Sequence, residues 1–184
     1  MNWEFERHDW TRTSVLRDAR DAVELILCAR SREEAEGGYV RLEGSVVSQG
    51  AVSWECIPVV EALVAGLPRC APAGLGPALD VLVQITGGFP ASAEVEAGKV
   101  DLVEHCRREV ALAFPILLCL LQDGDTEEAY AAVDLLGTCA GARRELAPRV
   151  GWYLRKARNE RPELKLDELI ESWLVYVDEW AKNP

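Results

Sequence analysis

Apolar residues return every three to four positions along most of the chain, and the stretches between them are short and rich in Gly, Pro and Asp. That pattern predicts helices joined by tight turns. A first helix is predicted over 14–32, with Leu16, Ala19, Val23, Ile26 and Leu27 on one face and Thr13 or Ser14 as N-cap. Further helices are predicted over 39–48, from Ser53 onward with Ile57, Val60, Val64 and Leu67 on one side, and over 76–86, 99–122, 126–139, 143–159 and 166–181. Thr126 is the expected cap of the 126–139 helix. Neither an alternating strand nor a glycine pattern of the Rossmann or P-loop kind is legible, so the expected class is all-α. The one long irregular segment runs from Gly88 to Gly98.

Two of these helices repeat. Ala78-Leu79-Asp80-Val81-Leu82 returns 54 residues later as Ala132-Val133-Asp134-Leu135-Leu136. Their partners also align: Cys56-Ile57-Pro58-Val59-Val60-Glu61-Ala62-Leu63 matches Ala113-Phe114-Pro115-Ile116-Leu117-Leu118-Cys119-Leu120 and, more weakly, the stretch from Leu146 to Tyr153 that carries Pro148. The aligned prolines are 57 and then 33 residues apart, which places about 20 extra residues in the first interval, over 88–108. A two-helix unit cannot close its own core, and stacking such units buries a continuous one. The expected architecture is therefore a single domain, 1–184, built as a short α-solenoid with an insertion at 88–108. Its C-terminal capping helix is expected at 163–182, with Leu166, Leu169, Ile170, Trp173, Val177 and Trp180 on one stripe.

The helix pairs and their prolines resemble HEAT or armadillo-type repeats. The stretch from Leu42 to Leu63, with Gln49-Gly50 before a short turn and Ile57-Pro58 in the next helix, resembles the opening repeat of small bacterial HEAT-like proteins. Ser48 stands where that group often has histidine. The resemblance implies a non-enzymatic protein of the kind found among immunity proteins, which neutralise secreted toxins of the same cell.

Charge narrows the choice of partner. The 184 residues carry 20 Lys and Arg against 31 Asp and Glu, a formal net charge of −11. Nucleic acid and anionic membranes require a basic footprint and are not expected partners. The longest apolar run, Val110 to Leu121, has 12 residues and contains Pro115, too short for a bilayer-spanning helix of about 20 residues. The first ten residues lack a basic region followed by an apolar one, so a cytoplasmic location is expected.

Candidate chemistry is sparse, and neither a catalytic group nor a cofactor is expected. The six cysteines are never closer than 13 residues, so no CxxC pair exists and reduced, buried thiols are expected. His8 and His105 are the only histidines, too few for a zinc site without help from Cys or carboxylate, and no metal is expected. The acidic turn Asp123, Asp125, Glu127, Glu128 lacks an EF-hand pattern and reads as helix capping. Gln49-Gly50 reads either as a helix C-terminus with a left-handed glycine or as a side-chain amide facing a ligand.

An acidic solenoid suits a basic protein partner. The leading expectation is an immunity protein that occludes a cognate toxin and is monomeric when free. A general interaction scaffold is the alternative, and a ligand-binding or enzymatic helical repeat a further one. Candidate contact residues are Trp54 and Glu55 at the start of the third helix, and Glu94, Glu96, Asp101 and Glu104 within the insertion. Trp3 and Trp10 on the polar N-terminal segment complete the set, unless that segment folds back and uses Trp3, Phe5 and Trp10 to cover the first repeat.

Overall fold

The computed structural model describes residues 3–182. The chain is all-α apart from one small sheet, and it divides into two compact units, 1–109 and 110–184. No helix among the described residues is long and apolar enough to cross a membrane.

The first unit begins with the short α1 (Glu4–Arg7) and continues through α2 (Ser14–Leu27) and α3 (Arg32–Ser45). Thr13 caps α2, its hydroxyl accepting from the Leu16 amide at 3.0 Å. The predicted helix to 32 stops short because Ser31 caps a new one: its hydroxyl accepts from Glu34 N, and Glu34 reaches back to the Arg30 amide at 2.7 Å. After β1 (Val47–Ser48) and β2 (Ala51–Val52) come α4 (Cys56–Gly66) and α5 (Pro72–Gly87), then β3 (Phe89–Pro90), α6 (Ser92–Glu96) and α7 (Leu102–Val110). Helix α5 packs on α2 and α3, and α4 packs on α2.

The three two-residue strands were not legible in the sequence. Gln49 (φ 51°) and Gly50 (φ 80°) are both left-handed and turn β1 back antiparallel onto β2, so this dipeptide is a hairpin turn and not a helix C-terminus. Strand β3 then pairs parallel with β2, Ala51 opposite Phe89 and Val52 opposite Pro90. The predicted irregular segment is thereby fastened to the body of the unit.

The second unit holds α8 (Phe114–Asp123), α9 (Thr126–Ala142), α10 (Ala147–Glu160) and α11 (Asp167–Lys182). The predicted helix over 99–122 is broken: a 3-10 turn at Ala111–Ala113 separates α7 from α8. Pro115 accounts for the break, since it has no N–H to continue the ladder and its ring crowds the carbonyl four residues earlier. The cap of α9 is Asp125, one residue before the predicted Thr126, in a reciprocal capping box with Glu128. Helix α8 pairs with α9 and α10 with α11, while α9 touches both α10 and α11. Arg161 closes the end of α8, donating to the Leu121 and Gly124 carbonyls at 3.2 and 2.9 Å.

The sequence repeat has a structural counterpart inside each unit. In α5, Ala78, Leu79, Val81 and Leu82 are buried and Asp80 faces outward; in α9, Ala132, Val133, Leu135 and Leu136 are buried and Asp134 lies at the edge. The same five-residue pattern thus meets its own core in the same register.

Candidate functional site

The candidate contact residues separate into those that build the surface and those that present it. Trp10 is 4% exposed, its indole N–H donating to the Phe5 carbonyl at 2.9 Å and its ring 5.6 Å from that of Phe5. The N-terminal segment therefore folds back on the unit, and Trp10 serves its core and not its surface. Trp3, by contrast, is 84% exposed. It borders a cavity of about 750 Å³ whose walls include Phe5, Arg20, Leu27 and Cys28.

Glu55 and Glu94 are buried as well. Glu94 holds the insertion in place: one oxygen accepts from the Trp54 amide at 3.2 Å and the other pairs with Lys99 at 3.0 Å. The Trp54 ring lies between two cations, with the Arg12 guanidinium 4.9 Å and the Lys99 ammonium 5.2 Å from its centroid. Backbone bonds from Phe89 N to the Gly50 carbonyl and from Ala91 N to the Val52 carbonyl, both 2.9 Å, complete the fastening. The insertion is consequently a shaped ridge, and Phe89, Val95 and Val100 stand exposed on it. Glu96 and Asp101 are exposed among them, and Glu104 follows half-exposed, 3.7 Å from Arg107.

A second polar centre lies in the same unit. Helix α4 is apolar along its length except at Glu61, which is only 6% exposed. A carboxylate in such a setting costs several kcal/mol unless it is paired. Both histidines converge on it: His105 Nε2 lies 3.3 Å from Oε1, and His8 Nε2 lies 2.8 Å from Oε2. Arg7 also reaches Oε2, at 3.1 Å, and contacts Glu4. The His8 contact has the separation of a hydrogen bond without its angles, so that His8 Nε2 and Glu61 Oε2, both shielded from solvent, have no hydrogen-bond partner. Glu4, His8 and Glu61 bring ligand atoms within 4.8 Å of one another, and Glu61, His105 and Glu109 do the same. The sequence reading missed this convergence, because the histidines are 97 positions apart and only folding brings them together. The available signal was Glu61 itself, a single acid within an otherwise apolar helix.

On the same two helices, α4 and α7, Cys56 and Cys106 are buried with sulfurs 3.4 Å apart. The Cys56 thiol is pushed strongly up, first by its hydrogen bond with Cys106 and then by burial. Burial likewise raises Cys139, to about 12, and Cys70, to about 11. None of these three is a ready thiolate at neutral pH.

Family models, curated proteins and solved structures were all compared with the chain, and none matches it.

Proposed function

We propose that this protein is a non-enzymatic binding module of HEAT-like helix pairs that engages a basic protein, in the manner of an immunity protein occluding its toxin. The observation that carries this reading is the ridge over 89–101, where Phe89, Val95 and Val100 are exposed beside Glu96 and Asp101 on a segment fastened by Glu94. Exposed apolar side chains on a shaped segment supply desolvation energy on contact, and the surrounding acids supply orientation and a faster encounter with a basic surface. The pairs α8–α9 and α10–α11 are taken as repeats, and α4 and α5, both packed on α2, as their counterpart in the first unit.

Both units carry the acidic charge that a basic partner would meet. Residues 1–109 hold 18 acidic against 11 basic side chains, whereas residues 110–184 hold 13 against 9.

The test is capture of the tagged protein from its native host at low salt, followed by affinity measurement with the purified partner. A stoichiometric basic protein with toxic activity, neutralised by this chain, is expected. Replacing Phe89 and Val95 with Ser, and Glu96 and Asp101 with Ser, should weaken that complex by roughly 30-fold or more while leaving the helical signal intact. Unchanged affinity in this variant would overturn the ridge as the contact element.

A further inference from the structure

The two triads around Glu61 share a single carboxylate through its two different oxygens. Oε2 faces His8 and Oε1 faces His105, and Glu4 and Glu109 complete the two groups. Within each flanking pair the residues are four positions apart; one turn of α7 directs His105 and Glu109 toward Glu61, and on the other side Glu4 opens α1 while His8 follows its last residue in extended backbone. We infer that this is a divalent transition-metal centre in which Glu61 bridges two ions, one held with Glu4 and His8 and the other with His105 and Glu109.

Three observations carry the inference. First, the donor set is imidazole and carboxylate without thiolate, which suits zinc, manganese or ferrous iron better than calcium or magnesium. Cys56 and Cys106 face each other and take no part. Second, most of the separations are close to those of ligands about one ion. Bonds of 2.0–2.1 Å in tetrahedral geometry put neighbouring ligand atoms about 3.3 Å apart. His105 Nε2 to Glu61 Oε1 is 3.3 Å and His8 Nε2 to Glu4 Oε1 is 3.7 Å, whereas His8 Nε2 to Glu61 Oε2, at 2.8 Å, would have to widen on binding. Third, His8 Nε2, shielded from solvent, lies 2.8 Å from Glu61 Oε2 without a hydrogen bond, in a chain where a buried polar atom ordinarily finds a partner, and Oε2 itself has the Arg7 ion pair. An ion taking the place of Arg7, with His8 drawn back by about half an ångström, would give His8 Nε2 a partner and keep one for Oε2.

Arg7 is the competitor that an entering ion would displace. Its guanidinium lies on Glu4 and on Glu61 Oε2, a positive charge of the chain's own held by two of the carboxylates that would take an ion. The Arg7 side chain is 59% exposed, so it can swing into solvent as the ion enters. The filled centre joins the N-terminal segment, α4 and α7, and α7 is the helix that follows the ridge. Metal occupancy would thereby stiffen the support of the surface assigned to partner binding, although the centre itself does not depend on that assignment.

The test uses the full-length protein, stripped with chelator and dialysed against Zn²⁺, with bound metal counted by elemental analysis and Co²⁺ absorption reporting the coordination. Two ions per chain are expected for the unaltered protein and one for His105→Ala. Glu61→Gln should bind neither tightly, and Arg7→Ala should bind more tightly than the parent, by severalfold, because the competing cation is gone. Uptake of fewer than two ions by the parent, or undiminished uptake by Glu61→Gln, would overturn the centre. So would an Arg7→Ala variant that is destabilised without any gain in metal affinity, since that is the behaviour of a purely structural ion-pair cluster. His105 is partly exposed and not part of the core, so its variant remains readable even where Glu61→Gln fails to fold.

Discussion

Trp173 and Asp134 show how much a single position can decide. The Trp173 indole donates to Asp134 Oδ1 at 2.7 Å, and its ring lies flat over Gly137, where an added Cβ would fall 2.2 Å from the ring atoms. Burial raises the Asp134 carboxyl above its ordinary 3.8, and the indole hydrogen bond only partly offsets this. A carboxyl raised in the folded state binds protons that the unfolded chain has released, so stability falls as pH climbs upward from 3.8 and is flat beyond the folded value. Asp134→Asn keeps an oxygen for the indole and removes the poorly solvated charge. Thermal unfolding should therefore show the variant more stable than the parent at neutral pH, with the advantage shrinking as pH is lowered toward 4. A gain that is the same at both ends of the range would mean that the charge is not the cause.

Between elements, close approach of backbones sets the packing. At Gly74 in α5 an added Cβ would sit 1.8 Å from the Ile26 carbonyl oxygen of α2, and the Ala71 amide donates to the neighbouring Leu27 carbonyl at 2.9 Å. The obstacle is backbone and cannot rotate away, so Gly74→Ala should cost about 3 kcal/mol, the upper end for overpacking, measured by denaturant unfolding. A loss below about 1 kcal/mol would show that α2 and α5 can slide apart cheaply.

The elements were unequally legible. Long amphipathic stretches such as α2 and α11 are legible through their period, and of the two cap candidates for α2, Thr13 and Ser14, the structure uses Thr13. The break between α2 and α3 was signalled by Ser31-Arg32-Glu33-Glu34, a capping pattern masked by the apolar run before it. The strands were invisible because two residues cannot show an alternation, and β3 forms only by pairing with a segment 38 positions earlier. Among candidate contact residues, Glu96 and Asp101 are exposed while Trp10, Glu55 and Glu94 are buried. Composition marks a residue as polar or aromatic, but only the fold decides whether it faces outward or holds its neighbours.

At the scale of the whole molecule, the net charge of −11 acts at a distance that no single contact does. Attraction to a basic partner should be screened once the Debye length falls to about 3 Å at 1 M salt, leaving the apolar contribution of the ridge. The association rate with such a partner should consequently drop by 10-fold or more between low and high salt while dissociation changes little, as stopped-flow mixing would show. A rate indifferent to salt would remove charge from the recognition step.

The two-residue pairing of β2 with β3 also bears on time. Helix pairs close over short loops and form early, whereas this pairing has to close a far longer one before its few bonds are made. The ridge is held by a handful of backbone bonds and one carboxylate, so it should open more readily than the helices on which it rests. In hydrogen exchange, the Phe89 and Ala91 amides should open well before those of α5, and Glu94→Gln should hasten them without moving the helix. The surface assigned to recognition would then come and go on its own clock, while the helices beneath it remain closed.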